Sequence, residues 1–255
     1  MPQRLGQHFL QGPWRHRIFE QMAVRGDQFW LEIGAGRGEM TRELAARAGR
    51  VVAVEVDPRL VESLRELQRQ APNLEVVSGD VLALDLSALA GAERVHVYGN
   101  IPYYITGPIL RHLFAHIHAL ADIHLVVQLE VAARLTARPG RRDYGFLSVL
   151  ARFYTTPEFL LRIPPGAFRP APRVASALVR LRPPGMRAQL AIPNEAEFVD
   201  FLARCFEQKR KTLRNNLRSV VGARAEALLA AAGLASNVRA EQLTLEQFAV
   251  LFRML

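Results

Sequence analysis

The sequence predicts an α/β fold: a parallel sheet covered by helices on both faces, followed by a small helical domain. Three observations carry that expectation. Short apolar runs rich in β-branched residues alternate with longer segments of helical period from Phe29 to Ala137. The first of these runs ends in a glycine-rich turn, Gly34-Ala35-Gly36-Arg37-Gly38. From Asn194 to Leu255 the period is helical throughout.

Taken in order, Phe29 to Ile33 reads as a strand and Glu39 to Ala48 as the helix after it. Val51 to Val56 and Leu74 to Val77 are the next strands, separated by a helix over Pro58 to Gln68. The alternation continues with Val95 to Tyr98, a segment over Gly107 to Ile117, a strand over His124 to Leu129 and a helix from Glu130 to Ala137. Pro58 and Pro108 suit first helical turns, where a missing N–H has no partner to lose. After Phe153, two apolar runs, Phe159 to Ile163 and Ala177 to Leu181, flank the proline-rich stretch Pro164 to Pro172 and predict an antiparallel pair closing the sheet. Arg182-Pro183-Pro184-Gly185 cannot continue a strand. The expected division is therefore a catalytic domain over residues 1–184 and a helical domain over residues 185–255, with Gly222 and Gly233 as helix stops.

Composition bounds the function. The chain has 255 residues, enough for one substantial domain and a small appendage, and its longest apolar stretches are interrupted well short of the roughly 18 to 20 residues of a membrane span. No charged-then-apolar signal segment opens it, so a soluble, cytoplasmic protein without membrane attachment is expected. Its single cysteine, Cys205, rules out an internal disulfide and a cysteine-rich metal site, and its place in an apolar helical pattern marks it as packing. No metal is expected. A net charge of +9, mostly from Arg, points to a polyanionic partner. The segment Arg134 to Arg187 is rich in Arg, including Arg141, Arg142, Arg169 and Arg173, with few opposing charges. Lys209, Arg210, Lys211 and Arg214 form a second basic run, on a segment whose Phe206, Leu213 and Leu217 give it one packed face. The first reads as a footprint on phosphate, and the second by itself as a solvated face that can also meet phosphate.

The glycine turn holds Gly34, Gly36 and Gly38, spaced Gly-x-Gly-x-Gly, and Glu39 stands near where a dinucleotide fold would place its third glycine. A nicotinamide reading is disfavoured. Glu55 ends the second strand about 20 residues on, where a carboxylate can accept from both hydroxyls of a ribose. Asp80 follows the third strand and can meet an adenine amino group. Three successive strand ends thus outline an adenosine site, and S-adenosylmethionine fits it best.

Asn100-Ile101-Pro102-Tyr103 closes the fourth strand and offers an amide oxygen, main-chain carbonyls and an aromatic face to a planar base. An exocyclic adenine amine is a weak nucleophile because its lone pair is delocalised into the ring. Acceptors for its two hydrogens let the nitrogen pyramidalise and aim that pair at a methyl donor. Tyr103 can stack on the base, and Phe168, in its proline frame, can cover the other side.

At these residues the chain resembles the KsgA/RsmA family of ribosomal RNA adenine dimethyltransferases, and it is similar to the Erm resistance methyltransferases. The resemblance rests on Leu5-Gly6-Gln7-His8-Phe9-Leu10, Glu32 to Gly38, Val54 to Asp57, Gly79-Asp80, Asn100 to Thr106, Gln128 to Val131, Tyr144 to Val149, Phe168 to Ser176 and Lys209 to Leu217. It implies a Rossmann-like methyltransferase sheet, S-adenosylmethionine as cofactor, and two methyls placed on N6 of each of two adjacent adenines near the 3′ end of small-subunit rRNA. It also implies a role in subunit biogenesis on a pre-30S particle, with the enzyme acting as a monomer. Family cofactor contacts fall on His8, Leu10, Gly34, Glu55, Asp80 and Asn100, and base contacts on Asn100, Pro102, Tyr103 and Phe168. The chain departs from the family at His8 and Tyr104, both commonly Asn, and at Ala175, commonly Asp. Two competing expectations are an Erm-type enzyme acting on a large-subunit adenine and a non-catalytic assembly or transcription factor on the same fold.

Overall fold

The structure is a computed structural model that describes residues 8–255; Leu5-Gly6-Gln7 of the first motif lies outside the described residues. In chain order the elements are β1 (Phe9–Leu10), α1 (Gly12–Met22), β2 (Phe29–Ile33), α2 (Glu39–Ala45), β3 (Arg50–Glu55), α3 (Pro58–Gln70), β4 (Leu74–Ser78), α4 (Leu86–Ala90), β5 (Val95–Asn100), α5 (Thr106–Ala115), β6 (Leu120–Gln128), α6 (Leu129–Thr136), α7 (Phe146–Tyr154), β7 (Thr156–Ile163), β8 (Phe168–Arg169) and β9 (Ser176–Arg182). Five helices follow: α8 (Arg187–Leu190), α9 (Glu195–Cys205), α10 (Leu213–Val221), α11 (Ala225–Ala231) and α12 (Leu245–Arg253).

Seven strands form one sheet in the order β4-β3-β2-β5-β6-β9-β7. β4, β3, β2, β5 and β6 run parallel, and β9 is antiparallel to β6. Every residue of β2 is buried, which is why its run Phe-Trp-Leu-Glu-Ile does not alternate: helices cover both faces. α3 shows the local logic of these helices. Asp57 caps it by accepting from Arg59 N at 3.0 Å, Pro58 opens it, and Val61, Leu64 and Leu67 form its buried stripe. The strand order reverses between β2 and β5, and crevices at such switch points are where open α/β sheets bind ligands.

Among the elements that depart from expectation are α1, β6 and the β1–β8 ribbon. α1 is helical although its stripe is only Ile18, Phe19 and Met22 among Arg and His residues, too sparse for a period to show. β6 starts at Leu120, because Asp122 interrupts the apolar run yet sits half-buried beside the cationic Arg180 and Arg182. β1 pairs antiparallel with β8 in a ribbon of two residues each, too short for any periodicity.

The chain divides into two compact units. The first unit runs through Ala132 and takes in Glu158–Pro183; the second comprises Ala133–Pro157 and Pro184–Leu255. Of the three crossings between them, the last falls at Pro183-Pro184, and residues 133–157 go with the helices. They join the helices through contacts distant in sequence: Phe153 packs edge-on against Phe198 with ring centroids 5.3 Å apart, and Tyr144 Oη donates to Leu243 O at 3.0 Å. Gly185 lies so close to α7 that a Cβ there would sit 2.3 Å from Thr155 N, so no other residue fits. Each unit has its own core, one around Trp30, Leu44 and Leu64 and the other around Phe198, Leu202 and Phe248. Among the described residues no helix is long and apolar enough to cross a membrane.

Candidate active site

The C-terminal ends of β2, β3, β4 and β5 open onto a cavity of about 270 Å³ within the first unit. Gly34, Gly36, Glu55, Asp80, Asn100, Pro102, Tyr103 and Phe168 all line it, together with His8 and Leu10. The register explains the convergence. Ile33 pairs with Gly99 and with Val54, so the residues that leave β2, β3 and β5 emerge side by side. Gly38 is absent from the wall; it caps the start of α2 instead.

The glycine turn is held open from below. Gly34, Gly36 and Gly38 all have left-handed backbones, with φ of 70°, 60° and 75°. A Cβ on Gly36 would lie 3.2 Å from the Phe9 ring, so the turn is also packed from the N-terminal segment. The buried Glu55 carboxylate accepts from Gly36 N at 2.7 Å through one oxygen and from Asp57 N at 2.9 Å through the other. It therefore braces the turn, while each oxygen keeps a second lone pair for a ligand hydroxyl. Asp80 is exposed and accepts from Leu82 N at 3.0 Å through Oδ1.

At the other wall Asn100 is oriented by the chain itself. Its Nδ2 donates to His8 O at 2.8 Å, which turns Oδ1 free of any partner among the described residues. His8 Nδ1 lies 2.7 Å from Pro170 O, and its ring stacks on Tyr103 with centroids 6.0 Å apart. With its main-chain oxygen and one ring nitrogen in use, His8 has Nε2 left for a ligand. The Tyr103 hydroxyl bonds Ser176 Oγ at 3.0 Å, fixing a half-buried ring. Pro102 O already accepts from Ile105 N at 3.1 Å and Thr106 Oγ1 at 3.4 Å. Phe168 is only 3 % exposed and faces the cavity from β8, with Leu10 as its cross-strand partner.

Several wall residues escaped sequence reasoning: Phe9, Arg15, Glu32, Arg37 and Tyr98. Glu32 is the most informative. It sits in the middle of an all-buried strand, where a carboxyl is out of place, and that misfit was the available signal. Burial pushes its carboxyl up to about 8, against the opposing effect of a hydrogen bond from Thr41 Oγ1 at 2.6 Å. Glu32 is cross-strand to Tyr98, whose phenol burial also pushes upward. Both shifts favour the neutral form of the side chain.

The basic residues separate by unit. Arg169 and Arg173 are exposed in the first. In the second, Lys209 Nζ donates to Arg142 O at 2.9 Å and so joins the loop of Arg141 and Arg142 to the exposed run Lys209, Arg210 and Lys211. Arg214 stands apart, half-buried and paired with Glu226 at 3.2 Å.

The chain matches the ribosomal RNA adenine dimethylase family over residues 2–255. The ribosomal RNA small subunit methyltransferase A of Acidobacterium capsulatum is 44% identical, covering 99% of this chain and 90% of its own length. The protein of the same name from Koribacter versatilis is 42% identical, covering 98% and 92%. Among solved structures, 23S rRNA methyltransferase ErmE aligns at 31% identity and a TM-score of 0.74, over 96% of this chain and 98% of that one. A dimethyladenosine transferase from Plasmodium falciparum superposes with a TM-score of 0.80 at 23% identity, over 97% of both chains, a likeness of fold. The Rossmann-like methyltransferase sheet expected from the sequence is the fold observed.

Proposed function

Because the chain belongs to the ribosomal RNA adenine dimethylase family, we propose that it transfers methyl groups from S-adenosylmethionine to N6 of two adjacent adenosines near the 3′ end of small-subunit rRNA. The observation that carries this reading is the orientation of Asn100. With Nδ2 committed to His8 O, the side chain presents an acceptor, not a donor, to whatever enters beside Tyr103. A site for an amino group needs that polarity.

The cavity also fits the cofactor. Glu55 can take the ribose hydroxyls, Asp80 the adenine amine, and the exposed backbone of Gly34 leaves room for close approach. When bound, S-adenosylmethionine supplies an electrophilic sulfonium methyl. Asn100 Oδ1 accepts one hydrogen of the adenine amine, and Ile101 O is the second acceptor, since Pro102 O is already occupied twice. These acceptors hold the nitrogen pyramidal and stabilise the positive charge that develops on it. Tyr103, tethered through Ser176, stacks on one side of the base, and Phe168 closes the other.

The choice of small-subunit RNA is supported by the names of the 44% and 42% identical relatives, which stand nearer this chain than the 31% identical ErmE. The basic loops of the second unit position the RNA through phosphate contacts, and the natural substrate is a pre-30S particle met in the cytoplasm by a monomer. The test is methyl transfer from labelled S-adenosylmethionine to undermethylated small subunits and, in parallel, to protein-free large-subunit RNA. Dimethyladenosine in the small subunit alone is expected. Product in large-subunit RNA alone would move the protein to the resistance class, and tight RNA binding with no product in either would make it a non-catalytic assembly factor.

A further inference from the structure

Arg37 on the cavity wall has no role in the reading above, and Arg169 on the neighbouring β1–β8 ribbon has figured only as one of several basic residues. Arg37, in the glycine turn, is exposed and lines the cavity, and its guanidinium carbon lies 4.4 Å above the centroid of the Phe9 ring. Phe9 is directly opposite Arg169 in the β1–β8 ribbon. Residues directly opposite in an antiparallel pair project to the same face, so Arg169 leaves the ribbon on the side where Phe9 carries Arg37. Neither arginine has an ion-pair partner among the described residues, and Met1–Gln7 contains no Asp or Glu. Arg15, also on the cavity wall, is the contrast: it is held by Glu39 at 3.3 Å and by Glu43 at 2.9 Å.

We propose that Arg37 and Arg169, set on one face around the Phe9 ring, clamp a backbone phosphate of the RNA beside the base that enters the cavity. A ring-stacked guanidinium keeps its N–H edge free, and its planar fork matches two phosphate oxygens. A base extruded into the cavity leaves its own flanking phosphates at the rim, where Arg37 stands and toward whose side the ribbon sends Arg169. The clamp therefore fixes the register of the target nucleotide. The proposal rests on the RNA substrate proposed above. Its one competitor for the same cationic pair is the carboxylate of the cofactor's methionine, another anionic oxygen.

The experiment compares Arg37→Met, Arg169→Met and the double variant with the unaltered protein. It measures affinity for a small-subunit RNA fragment across a salt series and affinity for S-adenosylmethionine by calorimetry. Each single change is expected to weaken RNA binding about five- to tenfold and to reduce the slope of log K against log salt by about 0.7 to 0.9, the value of one lost phosphate contact. The double variant should lose less than the product of the two, because both grip one group. Cofactor affinity should stay within about twofold. An unchanged salt slope in Arg37→Met would overturn the clamp, as would a tenfold loss of cofactor affinity with RNA binding intact. An unaltered protein that binds RNA with the full slope yet transfers no methyl would instead overturn the proposed activity.

Discussion

At Asn100 the two ends of one side chain differ: Nδ2 holds the N-terminal segment through His8 O, and Oδ1 is left as the acceptor that the proposed reading gives to the substrate amine. Asn100→Ala should therefore cut turnover about a hundredfold, roughly 3 kcal/mol of transition-state stabilisation, while cofactor affinity changes much less. Single-turnover rates set against calorimetric cofactor affinity check this, and equal losses in both would sink the role. Glu32 makes a different kind of residue-scale statement. In the unfolded chain it ionises near its ordinary 4.5, but in the folded protein burial keeps it neutral up to about 8. Between those values the unfolded state binds fewer protons, so this residue removes stability as pH rises, by at most about 1.4 kcal/mol per pH unit. Glu32→Gln keeps an acceptor for Thr41 and cannot ionise. The melting temperature of the cofactor-free variant should pull ahead of the unaltered protein progressively from pH 5 to pH 8 and hold level above that. A gap independent of pH would mean that Glu32 is ionised in the folded state.

Elements were legible where burial imposed a period on several residues and illegible where tertiary contacts set the structure. β2, β3, β4 and β5 follow from their apolar runs, and Gly34, Glu55, Asp80 and Asn100 follow from lying at the ends of those strands. The β1–β8 ribbon could not follow. It consists of two residues on each side, fixed by Gln11 N donating to Ala167 O at 2.9 Å and by Gln11 Nε2 donating to Gly166 O at 2.7 Å. Those bonds span more than 150 residues of sequence. Phe9 and Arg37 were missed with it, because their pairing exists only once the ribbon forms. α7 was missed for a similar reason, and it carries a device that period analysis does not see. Arg152, half-buried on α7, donates to Thr136 O at 3.1 Å and to Ala137 O at 3.0 Å, capping the end of α6 where the loop of Arg141 and Arg142 begins. Arg152→Met leaves those carbonyls short of a donor and should cost about 2 kcal/mol. It should also loosen the loop, so that trypsin cuts after Arg138, Arg141 or Arg142 faster than in the unaltered protein. Unchanged cleavage together with unchanged stability would show that the cap is incidental.

For the whole molecule, the division into two units with separate cores has a consequence that its intrinsic probes can read. Both tryptophans, Trp14 and Trp30, lie in the first unit, and the single cysteine, Cys205, lies in the second. Cys205 is fully buried in the second core, where burial pushes its thiol up and keeps it inert until that core opens. Phe248 fills the same core, also fully buried, against Phe206 at 5.5 Å between ring centroids. Phe248→Ala should cost that core about 3 to 5 kcal/mol. Larger chains with separable cores need not unfold in one step. On heating the variant, thiol labelling of Cys205 and part of the helical circular dichroism should therefore change well before tryptophan fluorescence, whose midpoint should stay where it is in the unaltered protein. If the cavity of the first unit is the cofactor site, as proposed, cofactor binding should persist in that interval, while RNA affinity, which the same reading assigns in part to Lys209, Arg210 and Lys211, should already be falling. If fluorescence and labelling shift together, the two units unfold as one cooperative body, and loss of RNA affinity could no longer be separated from loss of the cofactor site.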